Sequence, residues 1–102
     1  MDEMQNIKRK IFCQTLKSMR RGHHLTQKQV AKMLGVTQSY ISKIERDNRG
    51  IDVLELMDYC HAAGISLTEF AARLEWKLAK EFSKDTVQMK FYLSVLQSFN
   101  LT

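Results

Sequence analysis

Thr37, Gln38, Ser39, Ser42 and Lys43 put five polar side chains into seven positions at the start of a short helical pattern. Hydroxyls, an amide and an ammonium group at this spacing can donate and accept hydrogen bonds, yet they form no reactive pair. No Ser/His/Asp set, catalytic carboxylate pair or phosphate-binding loop accompanies them, so no enzymatic activity is expected. Asp52 and Glu55, the closest acidic pair of note, stand where they would cap a helix. Adjacent His23 and His24 lack a third ligand at useful spacing, and neither metal nor cofactor is expected. Cys13 and Cys60, 47 residues apart inside apolar patterns, read as buried free thiols. The chemistry on offer is recognition.

Charge indicates what is recognised. Residues 1–50 carry eleven Lys/Arg against four Asp/Glu, while residues 51–102 carry five against seven, so the net charge of +5 hides a basic half and a slightly acidic one. A basic half attracts nucleic acid or an acidic membrane by releasing counterions, although a merely solvated basic surface has the same composition. No segment approaches the roughly 20 apolar residues of a membrane span, and "MDEMQNIKRK" has no apolar core of the kind a signal peptide needs. A cytoplasmic protein is expected.

The elements that would position these side chains are helices. The 102 residues include no proline and four glycines, and the 44% hydrophobic content suffices for one modest core, so an all-α single domain is expected. Ile7, Ile11, Phe12, Leu16 and Met19 recur at helical spacing over roughly residues 5–21. Thr26 with Gln29 makes a capping box for a second helix burying Val30, Ala31 and Leu34, and Gly35 can take the left-handed conformation that ends it. Thr37 caps a third helix, about residues 38–46, which buries Ile41 and Ile44.

Asp52 with Glu55 then opens a fourth helix with an apolar face of Val53, Leu54, Leu56, Met57 and Cys60. Ser66 with Glu69 opens a fifth, where Leu67, Phe70, Ala71, Leu74, Leu78 and Phe82 keep helical spacing to about residue 82. In the last segment Val87, Met89, Phe91, Leu93 and Val95 alternate as a strand would. Val87, Phe91, Val95 and Phe99 also recur every fourth residue and Asp85 with Gln88 can cap a helix, which is the favoured reading.

Residues 27–46 resemble the helix-turn-helix of the Cro/repressor (XRE) family in Gln27, Ala31, Gly35, Val36, Ile41 and Ile44. The resemblance covers about residues 7–75 and includes "LTQKQVAKMLGVTQSYISKIE" and "GISLTEF". It implies a five-helix lambda-repressor-like domain over residues 1–75, followed by a C-terminal extension over 76–102. It also implies that the third helix enters the DNA major groove, where Thr37, Gln38, Ser39, Ser42 and Lys43 occupy base-reading positions. A glutamine amide pairs with adenine through two hydrogen bonds, which makes Gln38 the foremost reader. Tyr40 is bulkier than the small residues usual at its place, and its role is left open.

The same resemblance implies that Gln27 donates to a phosphate and braces Gln38, that Lys28, Arg46 and Arg49 lie near phosphates, and that Arg20 and Glu45 form an ion pair. Two features depart from the pattern. His24 stands where the family usually has glycine, and the extension is longer than a minimal domain requires. Trp76, Phe82, Phe91, Tyr92, Leu96 and Phe99 are too apolar for a free tail, so they cover the chain's own core or, as favoured here, bury against a second copy. The expected protein is a homodimeric DNA-binding regulator of bacterial or phage type, by default a repressor on an inverted repeat. The alternative is an antitoxin or a protein-interaction module that uses the same scaffold to bind a partner such as a toxin.

Overall fold

The computed structural model describes residues 3–46, 50–82 and 86–99, and of residues 86–89 and 92 the backbone alone. Among the described residues all regular structure is helical: α1 (Glu3–Gly22), α2 (Gln27–Leu34), α3 (Gln38–Glu45), α4 (Val53–Ala62), α5 (Leu67–Phe82) and α6 (Thr86–Gln97). The last segment is therefore a helix. The expected Asp85–Gln88 cap lies outside the described residues.

Local chemistry sets the boundaries. The Thr26 hydroxyl accepts from the Gln29 backbone at 3.1 Å while the Gln29 side chain accepts from the Thr26 backbone at 2.8 Å, closing the capping box. Asp52 and Glu55 make the same reciprocal pair at 2.8 and 3.3 Å. Ser66 Oγ accepts from the Glu69 backbone at 3.0 Å at the head of α5. Gly35, with φ 68°, turns the chain out of α2, and the Val36 N–H reaches back to the Ala31 carbonyl at 3.0 Å.

α1 lies across α3 and α5, while α2 packs on α3 and α4 and α4 packs on α5. Leu16, Val30, Ile41, Ile44, Tyr59, Cys60 and Phe70 meet at the centre, each essentially inaccessible to water. Phe12 packs edge-to-face on Phe70 with ring centres 5.3 Å apart. Ala31 is small enough for α2 and α3 to approach closely.

Two expected apolar faces differ from those observed. Val53 and Leu54 are 63% and 71% exposed, because the buried stripe of α4 runs Leu56, Tyr59, Cys60 and Ala63, and these two occupy the first turn beyond its end. In α5 it is Ala72 rather than Ala71 that is buried, together with Ala79 seven residues on. A helix flanked by α1, α4 and α6 is covered on more than a single stripe. α5 also runs without a break past residue 75, so α6 folds back onto a continuation of the fifth helix.

Candidate nucleic-acid interface

The polar positions of α3 stand out from the core because the helix spends its apolar positions inward. Ile41 and Ile44 are 0% and 1% exposed. Gln38, Ser39 and Lys43 are exposed and Ser42 is half-buried. Thr37 is exposed too, but its hydroxyl accepts from the Tyr40 backbone at 3.1 Å and so caps the helix. Tyr40 is half-buried, and its hydroxyl hydrogen-bonds the Glu55 carboxylate of α4. That bond ties the first turn of α3 to α4.

The far end of α3 is held by a buried ionic cluster. The Arg20 guanidinium grips Glu45 in two parallel bonds, Nε to Oε2 at 2.7 Å and Nη2 to Oε1 at 2.9 Å, and donates a third to the Leu25 carbonyl at 2.7 Å. Tyr59 donates to Glu45 Oε2 at 2.6 Å and Gln27 to Oε1 at 3.1 Å. Burial alone would raise the Glu45 carboxyl, but hydrogen bonds from Arg20, Tyr59 and Gln27 outweigh it and hold the group below its ordinary value. The bond to Glu45 raises Arg20 further above its already high range. Burial, and then the bond to Glu45, raise the Tyr59 hydroxyl. All three side chains therefore keep their charge states near neutrality, and α1, α3 and α4 are pinned through one carboxylate.

Sequence reasoning missed Tyr59. A tyrosine in the apolar stripe of α4 needs a partner for its hydroxyl, and that requirement was the available signal. Gln27 also differs from expectation: among the described residues its hydrogen bond goes inward to Glu45 rather than to Gln38. The two glutamines nevertheless line one open cleft of about 400 Å³, together with Arg20, Arg21, His24, Leu25 and Thr26. Arg21 and His24 thus join the site although the sequence reading left them out of it. His24 has φ 59°, so it takes up the left-handed backbone despite carrying a side chain.

Lys28 is exposed beside this cleft in sequence, and exposed Arg46 folds its Nε back to the Ser42 carbonyl at 3.3 Å. Arg49 lies outside the described residues. Lys43 completes a surface of amide, hydroxyl and cationic groups, which suits hydrogen bonding to a polyanion. Among the described residues no group of three or more His, Cys, Asp or Glu is arranged to hold a metal ion, and no helix is long and apolar enough to cross a membrane.

The apolar extension divides. Leu96, expected at an interface, is 8% exposed within the single chain because α6 packs back on α5; this corrects its assignment to a surface between copies. Phe91 is 62% exposed and Phe82 is 40% exposed, the latter with the Lys8 ammonium 5.8 Å from its ring centre. Trp76 and Phe99 are half-buried, and Lys80 stands 5.8 Å from the Trp76 ring centre. The side chain of Tyr92 lies outside the described residues.

Comparison with known proteins bears on the same region. A helix-turn-helix family model matches residues 16–70. Among solved structures, an XRE-family like protein from Pseudomonas syringae pv. tomato str. DC3000 is similar at 33% identity and a TM-score of 0.66, covering 71% of this chain and 88% of that one. A search of the curated proteins finds no match.

Proposed function

From the premise that this chain belongs to the XRE-type helix-turn-helix family of DNA-binding regulators, we propose that it is a sequence-specific repressor acting as a homodimer on an inverted repeat. The observation that carries this reading is the exposed N-terminal turn of α3, where Gln38 and Ser39 stand free of the core while the Arg20–Glu45 cluster locks the helix behind them. A rigid helix with polar side chains at its tip can be inserted into a major groove at little cost in ordering. Gln38 reads an adenine through a bidentate pair, and Ser39, Ser42 and Lys43 add contacts along the groove. Lys28 and Arg46 hold the backbone phosphates, which set the register without reading sequence. Exposed Phe82 and Phe91 supply apolar surface for a second copy, which would hold two such helices roughly 34 Å apart on one face of the duplex.

Selection of binding sites from a random duplex library with the purified protein tests this. The expected product is an inverted repeat, with Gln38→Ala losing about 1–3 kcal/mol of discrimination at one base pair of each half-site. Affinity should also fall with salt at about −0.9 logarithmic units per neutralised phosphate. No enrichment, or a flat salt response, would favour a protein-binding module instead.

A further inference from the structure

Two adjacent histidines face different surroundings. A Cβ added at Gly64 would meet the His23 ring at 3.4 Å, so that ring lies against the turn between α4 and α5. His24 is exposed and lines the cleft with Arg21, Thr26, Gln27 and Gln38. The charged groups lining this cleft are Arg20 and Arg21 of α1 and, when protonated, His24 itself; α2 and α3 contribute the neutral amides of Gln27 and Gln38. Arg20 is committed to Glu45, which is buried behind it, and no carboxylate lines the cleft among the described residues. A glycine would hold φ 59° at less cost in folding free energy than histidine does, so the His24 side chain carries a local backbone penalty.

We propose that His24 is a phosphate ligand: its imidazole, in the protonated form, donates to a DNA backbone phosphodiester seated in this cleft beside Arg21, so that DNA binding tightens as pH falls. The inference rests on the DNA-binding reading of α3 and adds a group that the usual glycine cannot supply. An imidazole changes charge between pH 5 and 8, and an oxyanion beside it favours the charged form. Binding therefore takes up a proton, and affinity is lost as pH rises through that range. If the phosphate favours the charged imidazole tenfold, affinity at pH 5.5 exceeds that at pH 7.5 by roughly fivefold for each histidine engaged. A phosphate carries no sequence information, so the same response should appear on selected and on random duplexes.

The test is a fluorescence-anisotropy titration of both duplexes with the full chain at constant ionic strength from pH 5.5 to 7.5, using wild type, His24→Gln, His24→Gly and His23→Gln. Wild type and His23→Gln should tighten toward acid pH, and both His24 variants should lose that response. His24→Gly should melt no lower than wild type, since it relieves the left-handed strain, which separates a lost ligand from a lost fold. An acid response that survives in His24→Gly, or none in wild type, would overturn the proposal while leaving DNA binding intact. Absence of binding to either duplex at every pH would instead remove the DNA-binding reading, and this inference with it.

Discussion

Replacing Glu45 by glutamine keeps the side chain's shape and removes only its charge. The Arg20 side chain is 6% exposed and that of Glu45 is 1%, so neither can turn to water without opening the junction of α1, α3 and α4. After the substitution the amide NH2 would face donors from Arg20, Tyr59 or Gln27, leaving a buried guanidinium with the Leu25 carbonyl as its sure acceptor. Breaking a buried pair from one side costs about 3–5 kcal/mol. At about 4 °C per kcal/mol for a domain of this size, Glu45→Gln should lower the Tm by at least about 12 °C. Removing both charges in Arg20→Met/Glu45→Met leaves no orphan ion and should cost less than the single change.

Urea denaturation followed by far-UV circular dichroism reads this as a fall in midpoint with an unchanged slope. Acid provides a second reading. The Glu45 carboxyl is held below its ordinary value of 4.5, so its stabilisation is complete above that pH and is lost as pH falls through the lower, folded-state value. The acid limb of stability should accordingly be shallower in Glu45→Gln than in wild type. A variant within about 1 kcal/mol of wild type, or a double variant weaker than the single one, would refute the reasoning that an uncompensated buried charge governs the cost.

Backbone, thiol and helix-packing perturbations extend the test to the rest of the fold. Gly35→Ala meets open space, so its cost should be the conformational one of about 1–2 kcal/mol at φ 68°. Gly64→Ala would bring its Cβ into ordinary contact with the His23 ring at 3.4 Å, so at φ 82° it should cost a similar amount in the same urea assay. Burial, and then the charge of Glu69, push the Cys60 thiol up to about 12, leaving about one thiolate in ten thousand at pH 8. Ellman's reagent should therefore titrate both buried cysteines far more slowly in native protein than in urea, and prompt native labelling would contradict their burial. Leu96→Ala should destabilise the single chain by about 2–4 kcal/mol. Phe91→Ser should reduce the sedimenting mass, and an unchanged mass would remove Phe91 from the contact between copies.

What could be read from the chain alone was what depends on near neighbours. Thr26 with Gln29 and Asp52 with Glu55 announce helix starts because each cap joins residues three apart, and Gly35 marks a turn because its backbone tolerates φ 68°. Resemblance extended this to the Arg20–Glu45 pair, 25 residues apart, which local pattern does not reveal. The rest depended on which faces the other helices cover. Periodicity gives the spacing of an apolar stripe but not where its cover ends, so Val53 and Leu54 were expected inside and lie outside, while Leu96 lies inside the single chain. Tyr59 reaches a carboxylate 14 residues away and Gln27 turns toward one 18 away. Such bonds exist only once α2, α3 and α4 have met, because a buried polar group takes whichever partner the packing brings within reach.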